Sequence, residues 1–290
     1  MNRSKSLTNQ LAFAGLGIFT SVALAQAPPP APFVSHQLKP NVYWIEGGGG
    51  NSTVIVGAKG VIVVDAKVSR AGGQELLDDI AKITPKPVTT VILTHSDGDH
   101  LNGLTAFPAG IKIIAHENNK KEQEAALAAG GPGAPLADHL PNQLITNSKE
   151  TLTIEGEKLE LYHWAPAHTS GDLVVYLPTE KIVATGDIIA TNNPYPRLHD
   201  EKHGSTEGWI TTAMGITSLD ADTFIPGHGN IQSKADIQRR IGDAVERRSK
   251  VKAFVAQGKS LDEIKAAVGD NDKLTYKSWT EQCYNEMTAK

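Results

Sequence analysis

The sequence predicts an α/β protein: a four-layer αββα sandwich of two mixed β-sheets with outer helices, plus a C-terminal helical extension. Three observations lead there. Short β-branched runs alternate with helical segments along the chain, the signature of layered α/β architecture. The alternation occurs twice, each half opening on strands and continuing with strand–helix units, the second beginning near Thr151. The 290 residues are 40% apolar and 21% charged, the composition of one large folded domain with a tail.

The elements follow in chain order. Arg3 and Lys5 precede an apolar stretch over residues 11–25 that ends in Ala23-Leu24-Ala25. A basic start, a short apolar run and a small-x-small end describe a cleavable secretory signal over 1–25. The run is shorter than the ~20 residues a membrane-spanning helix needs. The expectation is a periplasmic or secreted protein with no membrane span after cleavage, entered through a Pro-rich lead-in over 26–32. Strands are expected over 42–45, 52–56 and 61–65, joined as hairpins by glycine-rich stretches at 47–50 and 57–60. A helix over 74–83 is stopped by Pro85 and Pro87, and a buried-type strand follows over 88–93. Next come a strand over 111–115, a helix over 118–129 and a loop over 130–135. The second half reads as strands over 152–154, 159–163, 173–177 and 182–185, a helix over 206–218 and a strand over 223–225. A long charged helix over 236–257 follows, and Ser260-Leu261-Asp262-Glu263 is a capping box that opens a short one.

Charge and cysteine usage narrow the function. A net charge of −4 supplies no global field for nucleic acid, so none is expected as a partner. One cysteine, Cys283, excludes an intrachain disulfide and any multi-cysteine metal site. The chain has no Gly-x-Ser-x-Gly elbow, no Walker loop and no complete Gly-x-Gly-x-x-Gly after a strand. The ten histidines carry the information.

His95-Ser96-Asp97-Gly98-Asp99-His100 follows the 88–93 strand almost directly, and four of its six residues are good metal ligands. So many ionisable side chains on one turn repel one another and lose hydration, which a bound cation compensates. His168, Asp187 and His228 each follow a later strand, where ligands of open α/β sheets gather. A lone histidine beside glycine is ordinarily a loop residue; three donors in this order, each at a strand end, point to a metal site.

These residues resemble the metallo-β-lactamase superfamily over residues 33–248, which leaves 249–290 as the helical extension. The family's His-x-His-x-Asp-His motif reads here His95-Ser96-Asp97-Gly98-Asp99-His100, and its later ligands match His168, Asp187 and His228. The resemblance implies a metal-dependent hydrolase, usually with two Zn2+ ions. It implies that His95 and His168 hold the first metal, that Asp99, His100 and His228 hold the second, and that Asp187 bridges them. The family's second histidine is Asp97 here. Asp97 can bind the first metal directly, bind through water, or leave that site weak. An oxygen-richer site shifts preference toward iron or manganese.

The implied chemistry is attack of a metal-activated water on the carbonyl of a small acyl substrate, with Asp99 orienting the water and taking its proton. β-Lactams, lactones and thioesters are the candidate substrates. Export suits a β-lactam; Asp187 suits lactones and thioesters, because the β-lactamase branches usually carry Cys or Ser there. Substrate contacts are expected from Asn51 beside a flexible glycine hairpin, and from Tyr195, His199 and His203 on the irregular 192–207 loop. His116 and His163 are expected to be structural. Two rivals stay open, an iron-dependent oxidoreductase on the same fold and a non-catalytic metal- or partner-binding protein. Oligomeric state is not readable. The signal predicts a mature N-terminus at or near Gln26, which mass spectrometry of exported protein checks; a mature form beginning at Met1 refutes it.

Overall fold

The computed structural model describes residues 33–131, 134–270 and 274–289. The signal and lead-in expected over 1–32 lie outside the described residues. Twelve strands form two sheets. The first half of the chain gives β1 (Val34–Lys39), β2 (Val42–Glu46), β3 (Ser52–Val56), β4 (Val61–Val64), β5 (Val88–Ile92), β6 (Lys112–His116) and β7 (Gln143–Ile145), paired in that order. β1 to β4 are antiparallel, and β4 to β7 are parallel. The second sheet contains β8 (Lys149–Ile154), β9 (Glu157–Tyr162), β10 (Val174–Leu177), β11 (Ile182–Ala184) and β12 (Thr223–Ile225), antiparallel except for β11 beside β12. Both sheets are thus mixed, as expected.

The parallel pairings need crossovers. α1 (Arg70–Ile83) joins β4 to β5, with Ser69 accepting from the Gly72 N–H at its start. The single turn α2 (Gly98–Leu101) and a 3-10 segment join β5 to β6, and α3 (Glu117–Ala129) leads on toward β7. α4 (Thr206–Ser218) joins β11 to β12. The chain closes with α5 (Lys234–Ala256), α6 (Leu261–Val268) and α7 (Trp279–Thr288). Ser260 and Glu263 form the expected capping box on α6, and Ser233 with Asp236 forms another on α5.

Period-two alternation explains the layers. Val54, Val61, Val63, Val91 and Ile113 face one cluster with Leu76 and Ile80 of α1. Their neighbours Ile55, Ile62, Val64, Ile92 and Ile114 face a second cluster with Leu159, Leu161, Val175 and Ile182 of the other sheet. Val174, Tyr176 and Val183 then face a third with Trp209 of α4 and Ile237, Val251, Ile264 and Trp279 of the last helices. Such strands are apolar on both faces and sit between two packed layers.

Two strands escaped the sequence reading. β1 is an edge strand with no buried residue, and β7 has three residues with only Ile145 buried. The expected boundary at residue 248 falls inside α5, whose Ala244 and Val251 belong to the same cluster on either side of it. The last helices complete the outer layer of the sandwich.

Trp209 ties that layer to the β11 end. Its ring is 1% exposed and meets Trp279 edge-on at 5.5 Å, and its Nε1–H donates to the Ile188 carbonyl at 2.6 Å. Trp209→Ala is expected to cost about 3–5 kcal/mol, and Trp209→Phe, which keeps a ring but no donor, closer to 1–2. Urea denaturation of both variants measures the difference.

Candidate metal centre

The donors converge at strand ends. Asp65 directly follows β4, the His95–His100 segment follows β5, His168 lies between β9 and β10, Asp187 follows β11 and His228 follows β12. Close approach needs glycine at two positions. A Cβ on Gly50 would stand 2.2 Å from the His100 ring, and one on Gly227 would stand 1.9 Å from an Asp187 oxygen.

One cluster gathers Asp99, His100, His228 and Asp187. His228 Nε2 is 3.0 Å from Asp99 Oδ2 and 3.4 Å from His100 Nε2. Asp187 places Oδ1 3.2 Å from His100 Nε2 and Oδ2 3.4 Å from His228 Nε2. Ligands of a tetrahedral ion with bonds of ~2.0–2.1 Å lie about 3.3 Å apart, so these separations suit a bound metal.

A second cluster lies beside it. His95, His168 and Asp187 offer donor atoms within 4.8 Å of one another, and Asp187 Oδ2 is 3.8 Å from His168 Nε2. Asp97 enters from the N-cap of α2, where its side chain makes no capping bond. Its Oδ2 is 3.7 Å from His95 Nε2, 3.2 Å from His168 Nε2 and 3.0 Å from His199 Nε2. Its Oδ1 meets Lys202 Nζ at 2.5 Å. Asp187 belongs to both clusters. Its Oδ1, with His95 Nε2 and His199 Nε2, is buried without a hydrogen-bond partner. Unpaired buried polar atoms that point at one another fit a cation between them.

The imidazoles are oriented from behind. Asp65 Oδ2 holds His100 Nδ1 at 2.8 Å, and the carboxylate is fixed by the Thr94 N–H on Oδ1 and the Thr94 hydroxyl on Oδ2. Thr94 Oγ1 also contacts His95 Nδ1 at 2.9 Å, and the Arg197 carbonyl lies 2.8 Å from His168 Nδ1. Tying one ring nitrogen in this way aims the other.

The electrostatics follow from burial and mixed charge. Burial pushes the Asp187 and Asp97 carboxyls up, but the surrounding histidines overrule it and hold both well below the carboxylate range. Burial lowers His168 and His228, yet bonds to Asp97 in one case and to Asp187 and Asp99 in the other raise both to about 9. Burial and His100 drive His95 the other way, well below its ordinary value. An incoming metal therefore displaces protons from His168 and His228.

The seven expected ligands, His95, Asp97, Asp99, His100, His168, Asp187 and His228, thus come together. The expected substrate contacts divide. Asn51 is 6% exposed, and its amide donates to the Pro226 and Gly229 carbonyls, which pins the turn on both sides of His228. Tyr195 is engaged by Arg247, whose Nη2 donates to its hydroxyl at 3.0 Å. His203 closes a short turn at φ 59° and joins none of the donor groups. His199 lies inside the centre. His116 and His163 stack on each other at 3.9 Å, and His163 Nδ1 lies 2.8 Å from the Asp172 carbonyl.

The 47–50 hairpin, expected to be flexible, is held. The buried ammonium of Lys67 donates to the carbonyls of Ile45, Gly47 and Gly50, and burial lowers its pKa to about 7. Sequence reasoning missed Asp65, Lys67 and Lys202. Asp65 alone left a signal, an acid ending an otherwise apolar strand.

The comparisons agree with this geometry. Residues 45–228 match the family model of the metallo-beta-lactamase superfamily, and the chain belongs to that family. Its His/Asp clusters are able to bind metal. The 2,4-dinitroanisole O-demethylase subunit alpha of Nocardioides sp. (strain JS1661) is 29% identical over 190 residues, which cover 64% of this chain and 55% of that protein. The metallo-beta-lactamase type 2 of Bacillus sp. (strain 170) is 29% identical over 187 residues, covering 63% of this chain and 68% of that one. The chain thus spans only about half the length of the first of these relatives. Among solved structures, the inverting sec-alkylsulfatase Pisa1 from Pseudomonas sp. superposes with a TM-score of 0.63 at 18% identity, over 86% of this chain and 47% of that one. At this identity the likeness is one of fold.

Asp65→Asn leaves the shape behind His100 but removes the charge that orients it. Metal affinity is expected to fall ~10–100-fold, and His100→Ala, which removes a donor, should cost more than that. Competition against a chromogenic chelator ranks the two; equal affinity in His100→Ala and wild type contradicts the assignment.

Proposed function

We propose that the chain is an exported hydrolase with two metal sites, zinc foremost, that cleaves a small acyl substrate of the lactone, thioester or β-lactam class. The observation that supports it most is Asp187, one carboxylate shared by two donor clusters, with unpartnered buried atoms in both. Export rests on the N-terminal sequence. The relatives include a metallo-beta-lactamase and a 2,4-dinitroanisole O-demethylase subunit. Asp187 in place of Cys or Ser favours lactones and thioesters.

In this reading Asp99, His100 and His228 hold the second metal, and His95, His168 and Asp97 hold the first. Bound metal supplies Lewis acidity and acidifies water enough to yield a nucleophile near neutral pH. The chain's own groups do the rest. Asp99 is the most exposed of the carboxylates, at 34% of its side chain, and its Oδ2 lies 3.0 Å from His228 Nε2, where it would accept the proton of an incoming water. Asp187 keeps the negative charge that two neighbouring cations require. Lys202 holds Asp97 by its outer oxygen and turns the inner one toward the imidazoles. Among the described residues no helix is long and apolar enough to cross a membrane.

The test is elemental analysis of protein purified without added metal, with a panel of lactone, thioester and chromogenic β-lactam substrates. Two equivalents of metal, zinc predominating, and turnover of one ester class are expected. Asp97 favours one second reading, an iron-dependent oxidoreductase, and iron without hydrolysis decides for it. Metal without turnover leaves a binding protein. Asp97→Ala should let dialysis against a chelator strip one equivalent that wild type keeps; unchanged metal content removes Asp97 from the ligand set.

A further inference from the structure

We infer that His199 supplies the imidazole that position 97 lacks, so that the first metal site is built from His95, His168, His199 and Asp97 beside the shared Asp187. The inference rests on the two-site metal reading above and adds to it a ligand from a loop that the superfamily motif does not include.

The geometry is that of a ligand. His199 Nε2 is buried and has no hydrogen-bond partner, although Asp97 Oδ2 lies only 3.0 Å away. His199, His168 and Asp97 offer donor atoms within 4.8 Å of one another. Asp97 Oδ2 has three imidazole nitrogens at 3.7, 3.2 and 3.0 Å, a spread centred on the ~3.3 Å edge of a tetrahedral site. Lys202 occupies the other oxygen of Asp97, so the carboxylate presents one donor inward.

The orientation repeats that of the other imidazoles. His100 is tied at Nδ1 by Asp65, His95 by Thr94 and His168 by the Arg197 carbonyl. His199 Nδ1 is tied by Glu201 Oε1 at 2.5 Å, and its ring stands edge-on to His168 with centroids 4.9 Å apart. A carboxylate behind one ring nitrogen, with the other nitrogen turned toward a group of donors, is the arrangement of metal-ligating histidines. His36 also has an unpartnered Nε2, but it stacks on Trp44 with one carboxylate, Glu46, 3.6 Å away and belongs to no donor group, and His139 contacts Asp138 and the Phe107 carbonyl.

The position does not depend on a loose loop. The His199 N–H donates to the His168 carbonyl at 2.8 Å, and the Gly204 N–H donates to the His199 carbonyl at 2.8 Å. Buried Leu198 sits in the outer apolar cluster, and Gln282 of α7 donates to its carbonyl at 2.7 Å. Replacing a motif histidine by aspartate removes a nitrogen from the site, and His199 restores it from the opposite wall. A site with three nitrogens favours zinc more than one with two does.

The experiment uses the full chain loaded with Co2+ and, separately, with Zn2+. In the cobalt protein each bound imidazole gives a shifted, exchangeable N–H proton resonance. His199→Ala is expected to show one fewer than wild type, with the second-site resonances retained as a check on folding. Zinc affinity at one of the two sites should fall more than 100-fold, whereas Glu201→Gln, which keeps the ring but loosens it, should cost ~10–100-fold. An unchanged resonance count and unchanged zinc affinity in His199→Ala overturn the inference while leaving the two-site reading intact. A wild-type chain that takes up no cobalt overturns that reading, and the inference with it.

Discussion

Crowded negative charge is the constraint on which this molecule is built. Asp65, Asp97, Asp99 and Asp187 are drawn to one end of the sandwich, and Asp65 is only 2% exposed. Carboxylates brought so close and so far from water are costly unless each meets positive charge or a donor. Every one of them does: Asp65 meets His100 and Thr94, Asp97 meets Lys202 and His168, Asp99 meets His228, and Asp187 meets His100 and His228. The two sheets exist, functionally, to hold those partners from different directions.

Holding them requires stiff supports. Strands apolar on both faces, as in β4, β5 and β10, are packed on two sides and cannot slide without exposing a whole layer. The turns beyond them carry the cost of precision. Asp65 and Lys67 adopt left-handed backbone at φ 63° and 77°, conformations that side-chain-bearing residues tolerate only when their surroundings fix them. Here the fixing is visible. Asp65 is anchored by Thr94, and Lys67 by three carbonyls of the hairpin beside His100.

Much of this was legible in the sequence, and the reasons are physical. Buried strands such as VIVVD and VTTVIL announce themselves by composition, and ligand histidines by their place just beyond them. The edge strand VSHQLK could not be read, because an edge has no buried face to impose a pattern. The brief QLI strand is held by its neighbour β6 and not by its own residues. Asn51 looked like a substrate contact because polar residues after glycines commonly line sites; its amide is spent on backbone carbonyls 175 and 178 residues away. Lys202 and the orientation of His199 depend on a loop whose path is set by α7, information that no local window contains.

The donor atoms of one cluster come from opposite halves of the chain. His100 and His228 are 128 residues apart and follow strands of different sheets. An ion that grips both is a covalent-like clasp across the sandwich, closing a long loop much as a disulfide does. The only cysteine, Cys283, is buried and unpaired, so the chain has no sulfur bridge to serve that purpose. On the two-metal reading proposed above, the reactive ion and the structural staple would be one object, and a chelator would lower stability and activity together.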